Sequence, residues 1–132
     1  MAKILIVEDE EVLYRVLEEK FRKANFEVAI AEDGEVAMTT VKTFNPDLIL
    51  LDLILPKKDG FEILQELKAD PGLKQIPVVV LSNLGQDEEI KRALSLGAVD
   101  YLVKVQHPIN EVVEKVQKYL IDPQKPQGMP KA

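Results

Sequence analysis

Apolar residues along the chain fall into two patterns that alternate from the N-terminus onward: short continuous runs and longer stretches with helical spacing. Residues 4–7 form an apolar run that is too short for a helix and therefore predicts a strand. Residues 10–24 then repeat apolar side chains at helical intervals, with acids early and bases late, an order that favours the helix dipole. The alternation continues and predicts five strands and five helices.

Asparagine, proline and glycine mark where most of these elements end. Asn25 suits a left-handed helix end, Asn45-Pro46 stops the second helix, and Gly97 stops the fourth. The predicted strands are residues 4–7, 26–31, 48–51, 78–81 and 99–103. The predicted helices are residues 10–24, about 35–44, 61–69, 87–96 and 108–120.

The first, third and fourth strands are almost continuously apolar, which is typical of parallel strands covered by helices on both faces. Strands that alternate with helices through right-handed crossovers predict an α/β fold with a doubly wound, five-stranded parallel sheet. Ligands in such sheets bind at the carboxyl ends of the strands. The residues at those ends are therefore the candidates for function.

Composition narrows the class of protein. The 132 residues include Lys+Arg 17 and Asp+Glu 23, a net charge of −6 that argues against direct binding of nucleic acid or an anionic membrane. The chain has no cysteine, which excludes disulfides, thiolate catalysis and zinc–thiolate sites. The first apolar run is far shorter than a signal peptide core or a membrane span, so we predict a cytoplasmic protein.

The C-terminal residues differ from the rest. Residues 122–132 contain three prolines and no apolar periodicity, which predicts a disordered tail or a truncated linker. Residues 1–121 are long enough to bury one core, and we predict a single domain there.

Charged and hydroxyl side chains follow the strands at the edge where a ligand is expected. Glu8 and Asp9 follow the first strand, Asp52 the third, Ser82 the fourth and Lys104 the fifth. Carboxylates packed this closely need a cation, and hard oxygen ligands with room for water suit Mg²⁺. The sequence therefore predicts a Mg²⁺ site at this edge of the sheet.

A metal-bound carboxylate beside an ammonium and a hydroxyl is suited to phosphoryl transfer. Asp52 is the predicted nucleophile, which would become an acyl phosphate. Mg²⁺ on Asp9 and Asp52 would stabilise charge from one side and Lys104 from the other, while the Ser82 hydroxyl would bind a phosphoryl oxygen.

The motifs in residues 7–9, 51–60, 81–82 and 100–104 occur in this order on the expected elements. Together they resemble the receiver domain of two-component response regulators, and the resemblance covers residues 3 to about 121. It implies a flavodoxin-like sheet of strand order 2-1-3-4-5. It also implies that Asp52 accepts a phosphoryl group from a sensor histidine kinase or phosphotransfer protein.

The resemblance assigns roles to further residues. Glu8 and Asp9 match the acidic pair, and the backbone carbonyl of Ile54 would complete the protein's share of the metal site. Ser82 and Tyr101 match the hydroxyl and aromatic whose coupled movement signals phosphorylation to the face formed by helix four, strand five and helix five. The domain would act on a downstream protein or a missing output domain, as a switch that promotes transfer to itself and hydrolysis without being a turnover enzyme.

Three positions depart from the usual pattern. Glu8 replaces the more common aspartate, and Asn83 replaces the usual small residue after the hydroxyl. Val105 follows Lys104 where the family usually has a cis-proline, so we expect a trans peptide and a differently shaped loop, because a cis bond there would cost about 2.5–4 kcal/mol. By the same resemblance, Ile54 and Leu84 occupy the two positions beside the site that influence dephosphorylation in this family, and their apolar side chains predict a long-lived phosphoryl group.

Two other functions are compatible with parts of this pattern. The departures at Glu8, Asn83 and Val105 would suit a receiver-like interaction module that no longer needs phosphate. A flavodoxin-like electron carrier is disfavoured because acidic residues follow the first strand where a phosphate-binding loop is needed, and the chain has no Walker or dinucleotide-binding motif.

Two further interpretations concern polar residues outside the main set. Glu10 and Glu11 are interpreted as the acidic first turn of a helix. His107 is interpreted as a solvated loop residue, since no histidine or cysteine partner is near it in sequence.

Overall fold

A computed structural model describes residues 1–121, and the tail or linker predicted for residues 122–132 lies outside the described residues. The strands are β1 (Lys3–Val7), β2 (Glu27–Ala31), β3 (Leu48–Leu51), β4 (Val78–Ser82) and β5 (Asp100–Val103). The helices are α1 (Glu11–Lys23), α2 (Gly34–Phe44), α3 (Gly60–Ala69), α4 (Asp87–Ser95) and α5 (Ile109–Ile121). A short 3-10 helix at Lys104–Gln106 follows β5.

The five strands form one parallel sheet in the order β2-β1-β3-β4-β5. The predicted α/β architecture and strand order are therefore confirmed. The chain leaves β1 toward β2 on one side and returns to β3 on the other, so the strand order reverses at β1 and β3. In the register of the sheet, Val7 pairs with Leu51 and Val80 pairs with Tyr101. The carboxyl ends of these parallel strands therefore lie at the same edge of the sheet.

The sheet has an apolar layer on each face because successive strand residues point to opposite sides. On one face, Leu5, Ile49 and Val80 belong to a buried cluster that includes residues of α2, α3 and α4. On the other, Ile6 and Leu50 belong to a cluster that includes residues of α1 and α5. Both faces of the central strands are thus covered, which leaves their ends as the places where polar side chains gather.

Local signals in the sequence set several element ends. Asn25 and Asn45 have φ of 70° and 53°, the left-handed conformation that closes α1 and α2. The Asp33 and Asp59 side chains accept hydrogen bonds from the backbone at Val36 and Glu62 and cap α2 and α3. Within the described part of the chain, no helix is both long enough and apolar enough to cross a membrane.

Candidate functional site

Two buried carboxylates lie side by side where β1 and β3 end. The backbone N–H of Asp52 donates to the carbonyl of Val7 at 3.0 Å, and that of Glu8 donates to the carbonyl of Ala31 at 3.0 Å. These bonds extend the strand pairing past the last strand residues. Glu8 and Asp52 are only 2% and 4% exposed, so their charges need partners within the protein.

The ammonium group of Lys104 supplies that partner. Its Nζ lies 2.9 Å from Glu8 Oε1, 2.9 Å from Asp52 Oδ2 and 2.9 Å from Glu10 Oε1. A lysine ammonium has three donors, and here each one has a carboxylate acceptor. The sequence-predicted residues Glu8, Asp52 and Lys104 are therefore brought into one ion cluster.

Burial and pairing act in opposite directions on the pKa values of this cluster. Burial raises the pKa of Glu8 to about 7, although the hydrogen bonds from Lys104 and the Glu10 backbone lower it. Burial would lower the pKa of Lys104, but hydrogen bonds to Glu10, Glu8 and Asp52 outweigh it and raise that pKa above its ordinary value. Lys104 is therefore charged throughout the neutral range.

The remaining oxygens of the two buried carboxylates are held by backbone groups. Asp52 Oδ1 accepts from the N–H of Ile54 at 3.1 Å, and Glu8 Oε2 accepts from the N–H of Glu10 at 3.0 Å. Each carboxylate is thus fixed at both oxygens, once by the ammonium and once by a backbone N–H. This arrangement presents Asp52 in a single orientation.

The carboxylates of Glu8, Glu10 and Asp52 each offer an oxygen within 4.8 Å of the others. Three hard anionic oxygens at this spacing, two of them buried, fit the ligand preference of Mg²⁺. The donor set at this edge therefore fits the metal predicted from the sequence. Asp9 is exposed and is not part of this group among the described residues.

Ser82 and Tyr101 both bind the backbone of Leu84, in the loop after β4. The Leu84 N–H donates to Ser82 Oγ at 3.3 Å, and the Tyr101 hydroxyl donates to the Leu84 carbonyl. Ser82 is fully buried and Tyr101 is 8% exposed. Burial, with the nearby charge of Glu89, raises the pKa of Tyr101 to about 12, so its hydroxyl remains a donor.

Asn83 and Val105 depart from the expected pattern and directly follow Ser82 and Lys104. The Lys104–Val105 peptide is trans, which confirms the expectation, and the chain turns there through the 3-10 helix. Val105 is 82% exposed, and Asn83 is also exposed.

His107 is half-buried rather than fully solvated, and its Nδ1 lies 3.0 Å from the Val103 carbonyl.

Glu10 is the member of the ion cluster that sequence reasoning missed. It was assigned with Glu11 to the acidic first turn of α1, whereas it occupies the N-cap position and its side chain makes no cap bond. Its carboxylate pairs with Lys104 instead. The available signal was its residue type, since glutamate is not among the residues preferred at an N-cap.

Comparison with known proteins matches this architecture. Residues 4–117 match the family model described as response regulator receiver domain. A probable transcriptional regulator ycf27 of Cyanophora paradoxa is 40% identical over 102 residues, covering 77% of this chain and 41% of that protein. The alkaline phosphatase synthesis transcriptional regulatory protein PhoP of Bacillus subtilis is 38% identical over 120 residues, covering 89% of this chain and 48% of that protein.

A solved structure resembles nearly the whole chain. The crystal structure of the Mn²⁺-bound form of the response regulator Rcp1 superposes with a TM-score of 0.78 at 34% identity, covering 99% of this chain and 100% of that one. The chain spans about half or less of the length of the curated relatives it matches, since the shares are 41%, 50% and 24% for three of them.

Proposed function

The chain belongs to the response regulator receiver domain family, and on that basis we propose that Asp52 is its phosphoacceptor. Receiver domains of this family serve two-component signalling as switches and are not classical enzymes. The observation that carries the proposal is the contact between Lys104 Nζ and Asp52 Oδ2 at 2.9 Å. It places a charged ammonium beside the proposed nucleophile, where it can stabilise negative charge on a phosphoryl oxygen.

The proposed reaction forms a bond between an Asp52 oxygen and the phosphorus of a phosphohistidine or a small-molecule phosphodonor. The bond from phosphorus to the donor breaks, and its electron pair leaves on the histidine nitrogen or, for acetyl phosphate, on the acetate oxygen, which stays unprotonated at neutral pH. Lys104 holds Oδ2 and the Ile54 N–H holds Oδ1, so the carboxylate is oriented before the donor arrives.

The acidic group would hold the divalent cation. We assign this role to Asp52, to the Ile54 backbone carbonyl and to the acidic pair Glu8 and Asp9, with Glu10 adding charge nearby. When bound, Mg²⁺ neutralises charge that develops on the phosphoryl oxygens. The three carboxylates within 4.8 Å support the roles of Glu8 and Asp52, and the Mn²⁺-bound state of Rcp1 supports a divalent ion. Asp9 enters the assignment from the acidic pair of the family alone.

The proposed output of phosphorylation begins at Leu84. Because Ser82 accepts from the Leu84 N–H and Tyr101 donates to the Leu84 carbonyl, a Ser82 hydroxyl drawn toward a phosphoryl oxygen would release the Leu84 N–H. The loop would then shift, and Tyr101 with it, which carries the change to the α4–β5–α5 face. A downstream protein or an output domain would bind that face, and a histidine kinase or phosphotransfer protein would supply the phosphoryl group.

The test is incubation with acetyl phosphate and Mg²⁺, followed by intact-mass measurement. Wild type is expected to gain the mass of one phosphoryl group and Asp52→Asn none. Asp59→Asn is the matched control, because it lies exposed at the end of the same loop and asparagine also caps a helix. Gain by Asp52→Asn would contradict the assignment, and no gain by wild type would favour a phosphate-independent interaction module.

A further inference from the structure

The loop that carries Asp52 rests on the first residues of α2. This β3–α3 loop comprises residues 52–59. The N–H of Gly34 donates to the Pro56 carbonyl at 3.3 Å, and Lys57 Nζ lies 3.7 Å from Asp33 Oδ2. The start of α2 therefore gives the loop one hydrogen bond and one ion pair.

Gly34 packs so closely against the loop that the loop cannot move nearer to α2 and no larger residue fits at this position. A Cβ atom at this position would lie 2.1 Å from the Lys58 carbonyl oxygen and 2.5 Å from the Lys58 Cβ. Both atoms belong to or adjoin the backbone, so a side chain at Gly34 would displace the loop rather than a flexible group. The absence of a side chain here is thus a requirement of the loop's position.

Contacts within the loop connect this support to the phosphoacceptor. The Lys58 N–H donates to the Pro56 carbonyl at 2.8 Å, and the Gly60 N–H donates to the Leu53 carbonyl at 2.9 Å. A Cβ on Gly60 would lie 2.4 Å from the Asp52 carbonyl oxygen, so the far end of the loop touches the backbone of Asp52 directly. A displacement of Pro56 or Lys58 would therefore be transmitted to the backbone of Asp52.

The loop conformation also depends on outside contacts. Lys57 has φ of 70°, a left-handed conformation that residues other than glycine seldom adopt and that persists when surrounding contacts enforce it. The Asp33 cap is already complete without the loop, because Oδ1 accepts from the Val36 N–H at 2.9 Å. The contacts from Asp33 and Gly34 to the loop are thus additional to what α2 needs.

We infer that Asp33 and Gly34 are positioning residues for the phosphoacceptor site. They fix the β3–α3 loop, and through it the Ile54 carbonyl and the Asp52 carboxylate, at the place where metal and phosphoryl group are bound. The inference rests on the proposed function of Asp52. It adds α2, which contributes no group to the ion cluster, to the elements that determine the site's geometry.

The test compares wild type with Gly34→Ala and with the control Gly72→Ala. Gly72→Ala is a suitable control because a Cβ atom at Gly72 would contact only a side-chain atom, at the ordinary distance of 3.4 Å. Mg²⁺ affinity is measured by calorimetry, and acetyl phosphate labelling is followed across Mg²⁺ concentrations. Amide chemical shifts of residues 53–58 are recorded without Mg²⁺, which reports loop position independently of activity.

Gly34→Ala is expected to shift those amides and to raise the half-saturating Mg²⁺ concentration by roughly 10- to 100-fold, as loss of a ligand-orienting partner does. Gly72→Ala is expected to match wild type. A role in stability alone would lower the unfolding midpoint of Gly34→Ala and leave Mg²⁺ affinity and loop shifts unchanged, which would overturn the inference. Wild type that binds Mg²⁺ but takes no label would instead contradict the proposed function.

A second variant decides the matter if Gly34→Ala does not fold. Asp33→Asn retains a side chain able to cap but removes the charge that pairs with Lys57, and Asp33→Ala removes both without adding an atom. Weaker Mg²⁺ binding in Asp33→Ala than in wild type, together with shifted amides at residues 53–58, supports positioning by this helix start. Wild-type Mg²⁺ affinity in both variants contradicts it.

Discussion

Glu10 and Lys104 are separated by 94 positions in the chain, yet the carboxylate of one lies 2.9 Å from the ammonium of the other. Glu10 is the exposed member of the cluster, with 57% of its side chain accessible, whereas Glu8 and Asp52 are buried. The cluster therefore contains three carboxylates, of which two are buried and one is exposed. That carboxylate makes the site more negative and lies on its solvent-exposed side.

Glu10→Gln should weaken Mg²⁺ binding by about 3- to 10-fold, because a nearby unit charge attracts a divalent ion even through partly screening water. Stability should change little, since an exposed ion pair contributes about 0–1 kcal/mol. Calorimetric titration with Mg²⁺ measures the first effect and urea unfolding the second. Glu11→Gln is the control, because Glu11 is 71% exposed and pairs with Arg15. Equal losses in both variants would contradict a specific role for Glu10.

Glu8 should make the metal-free protein less stable as pH rises. Burial raises its pKa from 4.5 to about 7, so the folded state favours the protonated acid. The stabilising contribution is complete below about pH 4.5 and is lost as pH rises through about 7. Glu8→Gln should remove this loss, on the order of 2 kcal/mol between pH 5 and pH 8.

Urea unfolding in the presence of a chelator measures that dependence. The relevant quantity is the difference between wild type and Glu8→Gln, because other acids titrate in both. Glu27→Gln, at an exposed position of β2, should keep the wild-type slope. If the free energy of unfolding depends on pH in the same way in wild type and Glu8→Gln, the pairing with Lys104 fully offsets the effect of burial on the pKa of Glu8. That result would contradict the prediction.

Tyr101→Phe should loosen the loop after β4. The Leu84 carbonyl would lose its donor, at a cost of about 1 kcal/mol, and amides near Leu84 should exchange faster with solvent. Tyr14→Phe is a matched change away from this loop, since the Tyr14 hydroxyl of α1 donates to the Glu32 side chain just after β2. Faster exchange near Leu84 in Tyr14→Phe as well would contradict a local role for Tyr101.

Ile54→Asn should shorten the lifetime of the phosphoryl group. Ile54 is 55% exposed beside Asp52 and offers no polar atom on its side chain to orient a water molecule. An amide at this position could hold such a water, and loss of label should be faster by about tenfold. The decay of phosphorylated mass after removal of the donor measures this, and Ile54→Val should keep the wild-type lifetime. A shorter lifetime in Ile54→Val would point to packing as the cause.

The fold was readily predictable because two periodicities alternate without interruption. Continuous apolar runs predicted strands whose observed ends differ by one residue at β1, β2, β4 and β5 and not at all at β3. Parallel strands then placed Glu8, Asp52, Ser82 and Lys104 at one edge, since each follows or ends a strand. These positions depend on strand register alone, which hydrophobic pattern determines well.

Side-chain directions within the loops were not predictable in the same way. Asp9 and Glu10 are adjacent acids, but the start of α1 leaves the first exposed and turns the second toward Lys104. The sequence Asp33-Gly34 is typical of a turn and a helix cap, whereas its contacts with the β3–α3 loop depend on how two separate segments meet. Periodicity describes single elements and carries no information about such contacts.

The position of Lys104 among three carboxylates is expected to make the edge of the sheet selective for ion valence. The ammonium, tethered to the site, already offsets one of the three negative charges. A divalent ion gains about twice the Coulombic energy of a sodium or potassium ion from the charge that remains. We therefore expect the site to favour divalent ions over the more abundant monovalent ones before ligand geometry adds to the difference.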